Sequence, residues 1–192
     1  MLFLYTSGTT GIPKAAMLTH KNLISYTNGQ NAASDYGKGH TLLLNIPLNH
    51  VGGAVMAVIA TLNSGNKLVI MDMFVPEETL QIIEKERVTI IGQVPAQYAL
   101  ELLNPNVEKY DLSTIQTAIV SSQPCPSELI LAIKQRMGVM PQNAYGLTEV
   151  SGANTFTHPS HGEEKLKHSV GAPINTIEIA IMDDKFNILP TG

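Results

Sequence analysis

Residues 5–14, Tyr5-Thr6-Ser7-Gly8-Thr9-Thr10-Gly11-Ile12-Pro13-Lys14, concentrate groups that can hold an anion. The hydroxyls of Ser7, Thr9 and Thr10 join the loop amides as hydrogen-bond donors, and Lys14 adds a movable positive charge. Gly8 and Gly11 can take backbone conformations closed to other residues and leave room for a ligand against the main chain. Such a loop can wrap and neutralise a polyphosphate. It is not a Walker A loop, whose pattern is G-x-x-x-x-G-K-[ST] opening a helix. Here two residues separate the glycines, and Ala15 follows Lys14. Pro13 disfavours a helical conformation at Ile12. The loop is therefore expected at the tip of a strand–loop–strand hairpin, and an ordinary polar hairpin tip is the competing reading.

A second stretch, Tyr145-Gly146-Leu147-Thr148-Glu149, follows a short strand expected at 140–144 and is expected on a loop after it. In α/β sheets, loops at the carboxyl ends of strands line ligand crevices. Tyr145 offers a flat face for a purine, and Thr148 a hydroxyl for a phosphate oxygen. Glu149 offers a carboxylate to Mg²⁺, which prefers oxygen ligands. The same spacing also suits a solvated surface loop. His50 follows Pro47-Leu48-Asn49 at the turn into an apolar segment. It reads either as a helix-start histidine bonded to backbone or as a wall beside a substrate carboxylate. Cys125, between two prolines, reads as a packed small hydrophobe. His158, His161 and His168 lie in a polar stretch with no helix to align their rings, so no structural metal is expected there.

The elements that must carry these groups follow from periodicity. Thr19 reads as an N-cap for a helix over 20–33. Residues 41–46 are a buried strand, and 54–62, apolar on every face, a buried helix. A strand at 67–71, a helix opened by Pro76 and closing near Arg87, and a strand at 88–91 follow. Next come a helix at 95–103, a strand at 115–120, a helix at 126–137 stopped by Gly138, and a short strand at 140–144. Residues 157–167 read as a surface loop, and 177–189 as a terminal hairpin. Alternating strands and helices predict an α/β fold, a largely parallel sheet flanked by helices.

Composition narrows the function classes. Apolar residues make up 44 % and charged residues 15 %, which excludes a disordered chain. A net charge of −4 without a basic run argues against nucleic acid or an anionic membrane as partner. A single cysteine fits a reducing, cytoplasmic setting. No apolar run is long enough to span a bilayer.

Residues 5–14 closely resemble the phosphate-binding signature of the adenylate-forming enzymes, the AMP-dependent ligase superfamily of acyl-CoA synthetases, luciferases and peptide-synthetase adenylation domains. Residues 145–149 resemble that family's second adenylate-binding motif, and the likeness runs over nearly the whole chain. It implies that residues 1–192 are one fragment from the middle of the large AMP-binding N-terminal domain. The preceding region, a ribose-binding Asp and the C-terminal domain with its catalytic Lys would lie outside it. The resemblance implies ATP, Mg²⁺ and coenzyme A as the small-molecule partners. Thr6, Ser7, Gly8, Thr9, Thr10, Gly11 and Lys14 would surround the phosphates. Ser122, Gln123, Asn143, Ala144, Tyr145, Gly146 and Thr148 would bind the adenylate, and Glu149 would hold Mg²⁺. Lys14, His50, Thr148 and Glu149 would be the catalytic set, His50 through the Pro-x-x-His match of acyl-CoA synthetases.

The implied reaction forms an acyl-adenylate and pyrophosphate, then a coenzyme A thioester, in the manner of fatty acid metabolism. Peptide-synthetase domains place an Asp near His50 for the substrate's amino group. Residues 45–62 contain no Asp or Glu, which argues for a carboxylic acid without an amino-group anchor. Most relatives carry Gly-Gly-Ala where this chain has Ser121-Ser122-Gln123. These larger side chains should narrow the pocket and weaken an assignment to long-chain acids. The alternatives are an acid–AMP ligase that loads a carrier protein and a non-catalytic nucleotide-binding or scaffolding module. The isolated stretch is expected to be nearly inactive, and apolar faces left uncovered would favour self-association.

Overall fold

The computed structural model describes residues 1–8 and 11–190. Thr9 and Thr10 lie outside the described residues. The chain opens with β1 (Leu2–Thr6) and β2 (Lys14–Leu18), an antiparallel hairpin whose register pairs Thr6 with Lys14. Helix α1 (His20–Ala33) follows directly. Thr19 Oγ1 accepts from Asn22 N–H at 3.2 Å, and Asn22 Oδ1 accepts from Thr19 N–H at 3.0 Å, a reciprocal cap on two otherwise unpaired donors.

The main sheet has seven strands in the order β4-β3-β5-β6-β7-β8-β9. Its parallel part comprises β3 (Thr41–Leu44), β4 (Lys67–Ile70), β5 (Ile90–Gln93), β6 (Thr117–Val120) and β7 (Gln142–Leu147). The connections are helical: a π-helical segment (Gly52–Ile59) running into α2 (Ala60–Ser64), then α3 (Pro76–Glu86), α4 (Pro95–Leu102) and α5 (Ser127–Met137). Strands β8 (Gly152–Phe156) and β9 (Ala172–Pro173) extend the sheet antiparallel. Among the described residues no helix is long and apolar enough to cross a membrane.

Alternation along the strands divides the core into two layers. Leu42, Leu44, Ile90 and Ile119 pack with Tyr26 of α1 and with Val55 and Ala60 of the helical crossover. Leu43, Ile91, Ala118 and Val120 pack on the opposite face with Leu80, Ile83, Tyr98 and Ile133 of α3, α4 and α5.

Several expectations need correction. The crossover after His50 begins as a π-helix and is not buried all round, since Leu62 is 72 % exposed. The strand expected from Val88 starts two residues later, because Arg87 ends α3 in the left-handed conformation, φ 53°. Residues 145–147 belong to β7 and are not a loop; only Thr148–Val150 turns, as a 3-10 helix. Strand β8, Gly-Ala-Asn-Thr-Phe, has no apolar alternation to betray it, because it is buried on both faces. Residues 157–167 contain a 3-10 turn (Pro159–His161) and the start of α6 (Glu163–His168), pinned by the fully buried Leu166. The terminal hairpin contracts to a single antiparallel bridge, Met182 with Ile188.

Candidate active site

A cavity of about 900 Å³ opens at the carboxyl ends of the parallel strands. Chain order reverses there: β3 leads to β4 on one side, and β4 crosses back to β5 on the other. Such switch points leave a crevice, because the connections diverge to opposite faces. Turns after β3, β5, β6 and β7 form the rim, and the β1–β2 hairpin closes it.

The hairpin contributes Thr6, Ser7, Gly8 and Lys14 to the lining. The loop is tight: Gly11 N–H donates to the Gly8 carbonyl at 3.4 Å, and both glycines have positive φ, 63° and 78°. Gly11 itself stands exposed at the tip, outside the lining. Strand β2 packs against the Thr148–Val150 turn, which sets Lys14's strand beside Thr148 and Glu149. Both of those residues line the cavity.

Strand β7 splits the second motif by its period of two as far as Gly146, beyond which Leu147, Thr148 and Glu149 all line the cavity. Ala144 and Gly146 face the cavity, whereas Asn143 and Tyr145 do not line it. Asn143 is committed elsewhere, its N–H donating to Thr157 Oγ1 at 2.7 Å and its amide to the Leu166 carbonyl. Tyr145 is half exposed. Gly146 is needed for the close approach of β7 to β8, and Gly152 for the packing of Tyr26 and Met56 against β8. A Cβ on Gly146 would strike the Gly152 carbonyl, and one on Gly152 would fall 2.8 Å from Met56 Cγ.

His50 lines the cavity and also serves the backbone, as its Nδ1 accepts from Gly52 N–H at 3.0 Å. That bond leaves the neutral ring's proton on Nε2. Ser121 and Ser122 line the wall after β6, while Gln123 is exposed and stands off it. Ser122 is left-handed, φ 73°.

Sequence reasoning missed the apolar end. Tyr36, Leu42, Leu44, Met56, Ala57 and Ala153 line it, and burial pushes the Tyr36 phenol pKa up. Nothing in their local spacing marks them, since they come from four separated segments. The cavity is therefore two-ended: donors, Lys14 and Glu149 on one side, and an uncharged apolar chamber on the other.

The family model for AMP-binding enzymes matches residues 1–192. This chain belongs to the AMP-binding enzyme family. It is 30 % identical to the feruloyl-CoA synthase of Amycolatopsis sp over 100 % of its own length and 38 % of that protein's. The N-terminal domain of FACL13 from Mycobacterium tuberculosis superposes with a TM-score of 0.90 at 28 % identity, over 97 % of this chain and 46 % of that one. The Bacillus subtilis O-succinylbenzoate coenzyme A synthetase, solved with ATP and magnesium ion, gives 0.87 at 26 % identity, over 98 % and 38 %. The chain spans less than half the length of each of these proteins.

The side chains that line this part of the cavity have the chemistry to accommodate a magnesium–nucleotide complex. Glu149 lines the cavity and forms no ion pair among the described residues. No described cluster of three acidic, His or Cys side chains could hold a metal unaided. A cation held by one carboxylate with substrate and water oxygens is the arrangement Mg²⁺ favours.

Proposed function

We propose that the chain is the ATP- and carboxylate-binding portion of an AMP-forming acyl-CoA synthetase. The observation that supports it is the two-ended cavity: a hydroxyl- and lysine-bearing loop beside Glu149, joined to an uncharged apolar chamber. A carboxylate oxygen attacks the α-phosphorus of ATP, and pyrophosphate leaves, giving the acyl-adenylate. Both reactants are anions, so neutralisation and positioning carry the catalysis. Lys14 and the loop amides take the phosphate charge, and Thr148 offers its hydroxyl to the α-phosphate. Bound at Glu149, Mg²⁺ would supply further neutralisation of the phosphates. His50, with Nε2–H free, borders the carboxylate. The coenzyme A thiol then loses its proton and attacks the acyl carbonyl, forming the thioester and releasing AMP.

The acid needs no amino-group anchor, since among the described residues the Asp, Glu, Lys and Arg side chains of the lining are Lys14 and Glu149 alone, both at the phosphate end. Ser121 and Ser122 narrow the wall.

The test is carboxylate-dependent ATP–pyrophosphate exchange by the full-length protein. Wild type should exchange with an acid that bears no charge beyond its carboxylate, and Glu149→Ala should lose roughly a hundredfold or more. Normal exchange by Glu149→Ala would remove that residue from the mechanism. Acyl transfer to free coenzyme A, and not to a carrier protein, distinguishes the synthetase from a carrier-loading ligase.

A further inference from the structure

The segment Gly52–Ile59 is π-helical, while Ala60–Ser64 beyond it is α-helical. π-Helices are rare and are found mostly as short bulges, frequently at functional sites. This one forms part of the cavity wall: Gly52, Met56 and Ala57 line it, and Ile59 does not. The winding decides that set. At the α-helical step of about 100°, Ile59 would return to within about 20° of Gly52, and Ala57 would lie about 140° away. At a π-helical step of roughly 82°, Met56 and Ala57 flank the direction of Gly52 by about 30° and 50°, and Ile59 turns to the far side. The observed lining follows the π count.

A buried network holds the segment. Gln30, with no exposed surface, donates from Nε2 to the Met56 carbonyl at 2.8 Å. Its Oε1 accepts from the Tyr26 hydroxyl at 2.7 Å, and that hydroxyl accepts from Ala153 N–H at 2.9 Å. Helix α1, the π segment and β8 are thereby joined at the cavity wall, and Gly152 leaves the space that Met56 occupies.

We propose that Ala57, brought to the wall by the π winding, sets the size of the acyl group accepted, and that Gln30 is the positioning residue that holds the winding. The inference rests on the acyl-activation reading and deepens it. Around Ala57 the wall is Tyr36, Leu42, Leu44 and Met56, with no formal charge. The substrate class is thus an aliphatic or aromatic acid whose acyl chain carries no charge, its bulk admitted because position 57 carries only a methyl group.

The experiment measures acid-dependent ATP–pyrophosphate exchange by the full-length protein with propionate, hexanoate and 3-phenylpropionate. Ala57→Phe should lower kcat/KM for the two larger acids by roughly tenfold or more relative to propionate, with KM for ATP unchanged. Ile59→Phe should leave that ratio alone. Gln30→Leu should narrow the profile as Ala57→Phe does, and adding Ile59→Ala should restore the larger acids, which a mere loss of stability could not produce. If Ala57→Phe does not fold, Ala57→Val reads the same ratio with a smaller shift. An unchanged profile in the Ala57 variants, or a shift in Ile59→Phe instead, overturns the inference while leaving acyl activation intact. Absence of exchange by wild type with every acid overturns the acyl-activation reading and this inference with it.

Discussion

Glu101 of α4 has no exposed surface, and its Oε1 accepts from Gln93 Nε2 at 2.6 Å while Oε2 has no partner. Burial pushes its pKa up from 4.5 to about 8, against the opposing pull of the Gln93 bond. The folded protein therefore keeps the proton until about pH 8, whereas the unfolded chain releases it near its ordinary value. Stability falls as pH rises between those two pKa values, by as much as roughly 5 kcal/mol. Urea midpoints measured from about pH 5 to about pH 8 should decline in wild type. Glu101→Gln keeps an acceptor for Gln93 and should flatten that decline; equal slopes would show that Glu101 ionises freely. The sequence gives no hint of this: a lone Glu on an amphipathic helix reads as solvated, and only burial makes its proton costly to lose.

Elements were legible where local chemistry fixes them. Thr19 with Asn22, Pro76 and Pro95 each mark a helix start, and Gly138 marks an end in the left-handed conformation, φ 74°. The β7–β8 hairpin was not legible, because its strands lie against each other through glycine backbone and not through an apolar alternation. Gly146→Ala should force β7 from Gly152 and cost at least about 2 kcal/mol. Gly37→Ala is the control, since the nearest atom to its added Cβ is 4.0 Å away, and it should stay within about 0.5 kcal/mol. Equal unfolding midpoints for the two variants would show that the hairpin opens at little cost. The π winding was equally hidden, since the apolar run at 52–62 satisfies either register on its own. Contacts from Gln30 supply what distinguishes them here.

Across the whole molecule, stability resides in the two apolar layers on either side of the sheet. Ion pairs such as Lys67 with Glu86 and Arg87 with Asp111 are peripheral, keeping between 29 % and 60 % of their side-chain surface. Raising NaCl from about 0.05 M to about 0.5 M should therefore change unfolding free energy by less than about 1 kcal/mol. A larger loss would place real stabilisation in those pairs. By itself the sequence determined the hairpin that carries the hydroxyl- and glycine-rich loop, the α/β class with its largely parallel sheet, and the family. These rest on contiguous motifs and on periodicity, which local spacing records. The tertiary structure alone decided which side chains meet. It turned Ala144 and Gly146 toward the cavity and Asn143 and Tyr145 away, set Gln123 outside the lining, and assembled an apolar chamber from Tyr36, Leu42, Ala57 and Ala153. Strand pleat, helix winding and crossover direction act over distances that no short stretch of residues encodes, so the chamber exists only once the sheet has formed.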